Sequence, residues 1–448
     1  MKNHSPIVVG LDIGTTKICT VIARRNEFGK VEVLGVGQAP SLGVMRGVIS
    51  NIDKTVDAIT RSFAEAQRVA NIDMDIRDVY VGIAGQHIKC YQHRAYMMRQ
   101  YSEDEIRQRD IERLVSDMEK VAIPPGDQIL HIIPQEFIVD DEQGIKDPIG
   151  MSGTRLEADF RIITGQTAAI RNIYRCVERA NLHVAGLYLE PIASSGAVLT
   201  DEELEAGVAI VDIGGGTTDI AIFHEGLIRH TAVIPLGGNI ITEDVKEGCM
   251  VMRDQAEKLK VKFGAAQFHH NEVNAIVSIP GLRGREPREI SFRNLANIIQ
   301  ARMEEILEYV YYQIKDSGYE TKLIGGIVIT GGGARLKHLK NLTEQVTGLD
   351  TRIGLPTEHL INGRGQLNDP LYATSIGLAI KALQHSQTQQ QQTLAPPIPA
   401  AAEASDADMH QSSLNSTEQN ATPAKKNWFD NVMRKGREWL EGDIRDFE

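Results

Sequence analysis

Apolar and β-branched residues fall into two matched pairs of runs along this chain. Ile7 to Ile13 is followed by Ile18 to Ala23, and Val208 to Ile213 by Ile220 to Phe223. Short apolar runs separated by glycines predict strand, turn, strand in each case. The turns use nearly the same phrase: Gly10-Leu11-Asp12-Ile13-Gly14-Thr15-Thr16-Lys17 and Val211-Asp212-Ile213-Gly214-Gly215-Gly216-Thr217-Thr218-Asp219, roughly two hundred residues apart. A third run, Gly325 to Thr330, predicts a buried strand that enters Gly331-Gly332-Gly333-Ala334 ahead of a helix over Leu336 to Val346. Ser102 with Glu105 predicts a capping box that opens a charged helix running to about Val121. The basic stretch Arg283 to Arg293 reads as a solvated loop.

The pattern changes at Gln384. From there to Ala424 the chain is Gln, Ala, Pro, Ser and Thr with almost nothing large and apolar, which predicts a disordered linker over 384–424. As a flexible coil of some forty residues it spans roughly 35 Å. Both tryptophans of the chain follow it. At 100° per residue Trp428, Phe429, Val432, Met433, Trp439 and Leu440 share an arc of about 140°, and Asp430, Arg434, Lys435, Arg437 and Glu438 occupy the rest. With Lys425 and Lys426 before it, the segment predicts a short interfacial helix suited to an anionic membrane surface. The competing expectation is that it docks on the protein's own body. The last residues, Glu441 to Glu448, are acidic and lower the expected affinity for lipid.

The repeated turn carries the chemistry. Glycines permit positive φ and remove side chains, so backbone N–H groups and Thr hydroxyls can close around phosphate oxygens. Asp12 and Asp212 stand two residues before the first glycine, too close to phosphate to bind it directly, and a hydrated Mg²⁺ reconciles the charges. Lys17 offsets phosphate charge. One such turn is weak evidence, because Asp-x-Gly is also an ordinary tight turn. Two copies imply two similar half-molecules with phosphates between them. A Walker loop is absent, and a dinucleotide fold requires a helix where strands follow here.

Composition narrows the class without changing this picture. The 448 residues are 42% hydrophobic and 24% charged, ordinary for a globular chain. Cys19, Cys90, Cys176 and Cys249 are scattered, which predicts neither zinc nor disulfides and suits a reducing cytoplasm. No apolar run reaches the roughly 18 residues needed to span a bilayer, and no secretory signal precedes the first strand. The formal charge of −12 argues against nucleic acid as a partner.

Together the three glycine motifs resemble those of the actin, Hsp70 and sugar-kinase superfamily, in the order phosphate-1, phosphate-2 and adenosine. Glu190-Pro191-Ile192-Ala193-Ser194-Ser195-Gly196 and Tyr372-Ala373-Thr374-Ser375-Ile376-Gly377-Leu378-Ala379 match its two connecting helices, whose small residues allow a close crossing. From about Ile7 to Lys381 the chain is similar to the bacterial division family FtsA. Its most particular string is Leu130-His131-Ile132-Ile133-Pro134-Gln135-Glu136-Phe137, followed by Gly144 to Gly153.

The resemblance implies an α/β, actin-like ATPase fold of two similar halves around a nucleotide cleft. It implies subdomain 1A over 1–84 and 165–197, an inserted 1C over 85–164, 2A over 198–226 and 313–383, and 2B over 227–312. The linker over 384–424 and a membrane-targeting helix with acidic end over 425–448 complete this division. The implied cofactors are ATP and Mg²⁺. Asp12 and Asp212 would organise the metal through water, while Gly14, Thr15, Thr16, Lys17, Gly214, Gly215, Gly216, Thr217 and Thr218 would hold phosphates. Gly237 and Gly238 would line the cleft, Glu257 and Lys260 would reach ribose or base, and Gly331, Gly332 and Gly333 would pass the purine. Glu190 is the implied group that orients water for slow hydrolysis, a step that remains open at this level.

The implied role is a scaffold that self-associates on the cytoplasmic face of the inner membrane at the division site, through avidity of many weak anchors. It would hold the C-terminal tail of FtsZ near Arg302 and Glu305 and recruit other divisome proteins. Bland alternatives are an i,i+3 surface pair for Glu257 and Lys260 and a solvated helix face for Arg302 and Glu305. Rival functions are a PilM-like pilus scaffold, a sugar kinase and, least suited to a chain with no substrate domain, an Hsp70-type chaperone.

Overall fold

The computed structural model describes residues 6–71, 76–99, 104–268, 275–281, 286–356, 360–361, 365 and 367–394. The first half opens with β1 (Val8–Ile13), β2 (Lys17–Arg25) and β3 (Val31–Pro40), then the short pair β4 (Val44–Met45) and β5 (Val48–Ile49), α1 (Ile52–Ala70) and β6 (Asp78–Ile83). An insert follows: β7 (Lys89–Met98), α2 (Gln108–Met118), β8 (Asp127–Val139), β9 (Glu142–Ile145) and β10 (Arg155–Gln166). The chain then returns through α3 (Thr167–Arg179) and β11 (His183–Leu189) to α4 (Glu190–Val198) and α5 (Asp201–Ala206). The second half contains β12 (Val208–Ile213), β13 (Thr218–His224), β14 (Leu227–Ile234), α6 (Gly238–Cys249), α7 (Arg253–Phe263), β15 (Ile276–Ile279), β16 (Arg288–Ser291) and α8 (Phe292–Asp316). It closes with β17 (Ile327–Thr330), α9 (Leu339–Thr347), β18 (Thr351–Ile353) and α10 (Ala373–Leu394).

The repeat seen in sequence is a repeat of topology. The first sheet runs β3-β2-β1-β6-β11 and the second runs β14-β13-β12-β17-β18, so each half is an antiparallel meander followed by two parallel strands. β1 and β12 lie at the centre and are buried along their whole length, which explains why they read as unbroken apolar runs. One face of each sheet builds a core within its own half. The opposite faces meet in a third core, where Val8, Val21, Val208 and Ile210 pack with Ala197, Val198, Ala379 and Ile380 of α4 and α10. Small residues make that crossing possible: a Cβ on Gly377 would lie 1.9 Å from the carbonyl oxygen of Ala193.

The insert is an antiparallel sheet of order β7-β10-β8-β9 with α2 on it through Ile111, Leu114, Val115 and Met118. Four local expectations need correction. The helix of the insert starts at Gln108 rather than near Ser102, which lies outside the described residues. Glu105 bridges to Ser152, and the Ile106 N–H donates to the Met151 carbonyl at 2.8 Å, so this backbone is committed to a neighbouring loop before any helix can begin. Within Arg283 to Arg293, residues Arg288–Ser291 form a strand paired with β15, and Arg293 lies in the first turn of α8.

The helix expected from Leu336 begins at Leu339, because a 3₁₀ turn spans Gly332–Arg335 and His338 adopts the left-handed conformation at φ 61°. Finally, α10 continues through Gln384, where the linker was expected, to Leu394; Ala and Gln favour helix enough to carry it on. The compact body itself ends at Leu383. Trp428, Phe429, Val432, Met433, Trp439 and Leu440 lie outside the described residues.

Candidate nucleotide site

The two glycine turns face each other across a cavity of about 430 Å³, a size suited to a nucleotide. Their approach leaves no room for side chains: a Cβ on Gly215 would lie 1.8 Å from Thr16 Oγ1, and one on Gly216 would lie 2.7 Å from Thr15 Oγ1. Backbone bonds fix each turn. Gly214 N–H donates to the Thr217 carbonyl, Gly238 N–H to the Gly214 carbonyl and Asn239 N–H to the Gly215 carbonyl at 2.9, 2.9 and 2.7 Å. The Gly237-Gly238 turn is thereby tied to the second hairpin, and α6 starts at the cavity wall, where the unpaired N–H groups of a helix N-terminus suit an anion.

The cavity is lined by Asp12, Gly14, Thr15, Thr16, Lys17, Glu190, Asp212, Gly214, Gly215, Gly216 and Thr217, and farther out by Gly238, Glu257, Lys260, Gly331, Gly332 and Gly333. Two expected residues stand behind it. Thr218 is fully buried and donates its hydroxyl to the Leu236 carbonyl at 2.9 Å, because alternate residues of β13 face opposite sides of the sheet and Thr217 takes the cleft side. Gly237 supports the second turn, with a Cβ there only 2.7 Å from the Gly214 carbonyl. Lys260 Nζ donates to the Gly238 carbonyl and to Thr242 Oγ1, each at 2.7 Å, and pairs with Glu257 at 2.8 Å. That ties α7 to the start of α6, so the pair is more than a surface ion pair.

Three residues that the sequence reading left out complete the site. Asp212 Oδ2 accepts hydroxyl bonds from Ser194 of α4 at 2.9 Å and Thr374 of α10 at 3.0 Å, so both crossing helices hold one carboxylate. Asp219 lies directly opposite Asp212 in the β12–β13 ladder and lines the same cavity. Its counterpart in the first hairpin, opposite Asp12, is Cys19. Comparing the two copies position by position would have singled out Asp219.

Charge is unbalanced here. Burial raises the pKa of Asp12 and Asp212, and burial followed by Asp212 pushes Asp219 up to about 7. Burial raises Glu190 well above the usual range, with Asp12, Asp219 and Asp212 adding to it. Against these four carboxyls stands Lys17. Burial opposes its charge, but Cys19, Asp12, Tyr372 and Asp212 outweigh that and raise its pKa. Lys17 Nζ is 3.6 Å from Asp12 Oδ2 and has no hydrogen-bond partner, and neither has Asp219 Oδ1.

Groups of this kind left unmatched fit a divalent cation carrying an anionic phosphate chain. Among the described residues no three His, Cys, Asp or Glu converge as a direct metal shell.

Asp219 also sets a pH dependence. Its folded pKa of about 7 lies well above that of an ordinary aspartate, so the folded state holds this proton more tightly than the unfolded chain does. Through this group the nucleotide-free protein is most stable below the unfolded value and loses that contribution as pH rises through about 7. Denaturant titrations between pH 5 and 7 are expected to show Asp219→Asn removing a slope of up to about 1.4 kcal/mol per pH unit. Parallel curves for the two proteins would contradict the assignment.

Comparison with known proteins places this cleft in a family. A model described as "SHS2 domain inserted in FTSA" matches residues 85–164, the insert, and "Cell division protein FtsA" matches residues 209–377. The chain is 38% identical over 380 residues to the cell division protein FtsA of Pseudomonas aeruginosa, covering 84% of this chain and 89% of that one. The chain belongs to the FtsA family. The FtsA of Bacillus subtilis is 34% identical over 387 residues, covering 86% of each chain. Among solved structures, the PilM-PilN type IV pilus biogenesis complex superposes with a TM-score of 0.61 at 15% identity, over 84% of this chain and 98% of that one. MreB5 of Spiroplasma citri bound to ADP gives 0.52 at 15%, over 87% and 99%. These two establish the actin-like fold. Membership of the FtsA family gives the chain a role in cell division.

Arg302 and Glu305 lie away from the cleft on α8. Arg302 pairs with Asp244 of α6 at 2.6 and 3.1 Å and also with Glu305, so its guanidinium ties two helices together. Among the described residues no helix is long and apolar enough to cross a membrane.

Proposed function

We propose that the chain is an ATP-binding division scaffold that polymerises on the inner face of the cytoplasmic membrane and anchors FtsZ there. The observation that carries the nucleotide reading is the cluster of Asp12, Asp212, Asp219 and Glu190 around Lys17 between two facing glycine turns. Lys17 and the turn N–H groups bind phosphate oxygens. Asp12 and Asp212 orient the water shell of Mg²⁺, which when bound neutralises phosphate charge. Ser194 and Thr374 fix Asp212, so the metal position depends on the crossing of α4 and α10. Glu190, half-buried at the start of α4, orients water toward the terminal phosphate and supports slow turnover at most.

Attachment rests on the amphipathic pattern of Trp428, Phe429, Val432, Met433, Trp439 and Leu440. A helix of three to four turns binds lipid weakly, and a row of subunits multiplies it. FtsZ engages through its C-terminal tail at α8, where Arg302 and Glu305 offer a charged pair, and other division proteins assemble on the same polymer at the septum. The test is flotation on anionic liposomes with ATP and Mg²⁺, comparing the intact chain with one ending at Ala424. The intact chain is expected to float and the shortened one to stay at the bottom; equal flotation would remove the tail from the account.

A further inference from the structure

The string Leu130 to Phe137 occupies β8, and none of the functions above uses it. Its two ends touch different halves of the molecule. Near the start, His131 Nε2 accepts the Leu189 N–H at 3.3 Å. Leu189 is the N-cap of α4, and the next residue is Glu190, whose side chain lines the cleft and packs on the backbone of Gly82; a Cβ there would lie 3.0 Å from Glu190 Cγ. The His131 ring stacks on Tyr188 at 6.4 Å, and Tyr188 stacks on Tyr80 of β6 at 6.2 Å, so the imidazole is held in place from the side as well.

Near the other end, Gln135 and Glu136 accept from Arg229 Nη1 at 3.5 and 3.4 Å. Arg229 belongs to β14 of the second half, is 4% exposed, and also donates to Glu225 at 2.7 Å and to the His224 carbonyl at 3.2 Å. One strand of the insert therefore holds the backbone beside Glu190 and grips the sheet of the opposite half.

We propose that His131 is a positioning residue of the nucleotide site: through Leu189 it sets where the Glu190 carboxylate stands, and β8 carries the state of the cleft to the insert and to β14. The inference rests on reading the cleft as an ATP site. A helix start held by a side chain from another subdomain moves with that subdomain. Closure of the two halves on a nucleotide shifts Glu190 and Arg229 relative to each other, and β8 spans both.

The test uses the full chain and two variants of one residue. His131→Leu removes the acceptor at similar volume, and His131→Gln restores an oxygen acceptor at the same reach. Mg·ATP affinity and hydrogen exchange over residues 127–139, with and without Mg·ATP, are measured for each. In the unaltered protein ATP is expected to change exchange over 127–139. In His131→Leu that change is lost and affinity falls about five- to tenfold, whereas His131→Gln returns both to within about twofold. If His131→Leu fails to fold, Arg229→Met tests the far end: the response of 127–139 to ATP persists while that of β14 disappears.

An unaltered response in His131→Leu, no rescue by Gln, or a β14 response indifferent to Arg229→Met would overturn the proposal. So would an unaltered protein that binds ATP with no change over 127–139. A protein that does not bind Mg·ATP at all would instead overturn the cleft reading on which it rests.

Discussion

Asp212→Asn is expected to weaken Mg·ATP binding at least about a hundredfold, close to 2.8 kcal/mol, without destabilising the nucleotide-free protein. The carboxylate is buried, and burial already raises its pKa. Its charge is therefore costly until a cation arrives. The amide keeps one oxygen for the Ser194 and Thr374 hydroxyls, so the crossing of α4 and α10 loses little, and one of four crowded carboxyls disappears. Titration calorimetry and thermal melting separate the two effects. Affinity within about threefold of the unaltered protein would mean that Asp212 does not organise the metal; a large fall in melting temperature would mean that its main work is structural.

Gly377→Val is expected to cost at least about 3 kcal/mol of stability, above the usual range for overpacking, because the obstacle is backbone and not a side chain that can turn away. A Cβ at this position would stand 1.9 Å from the Ala193 carbonyl oxygen and 2.4 Å from its carbonyl carbon. The helices can escape only by separating, which opens the third core around Ala197, Val198 and Ile380 and draws Thr374 away from Asp212. Loss of stability and loss of ATP affinity are thus expected together, in contrast to Asp212→Asn. Denaturant unfolding measures the first; a midpoint shift equivalent to less than about 1 kcal/mol would show that the crossing is looser than described.

The hairpins were legible because two kinds of signal coincide in them. β-branched runs buried on both faces specify the strands, and the glycines between them are imposed by the facing turn. What stayed hidden depends on register and on pairs far apart in sequence. Ser194 and Thr374 reach Asp212 across 18 and 162 residues, and only the helix crossing brings them together. Thr217 and Thr218 look equivalent in sequence, yet strand alternation sends one to the cleft and the other to Leu236. The capping pattern at Ser102 and Glu105 failed for the opposite reason: it is purely local, and the backbone at Ile106 is already paired with Met151. His131 stood inside a string recognisable by its resemblance, but its partner Leu189 is 58 residues away.

In the proposed function a nucleotide-loaded actin-like body carries FtsZ to a membrane. Co-flotation tests it most directly: purified FtsZ is mixed with the intact chain, anionic liposomes, ATP and Mg²⁺, and the floating fraction is assayed for both proteins. FtsZ is expected to rise only when the intact chain is present and to stay behind with the chain ending at Ala424. FtsZ remaining at the bottom while the intact chain floats would contradict the claim.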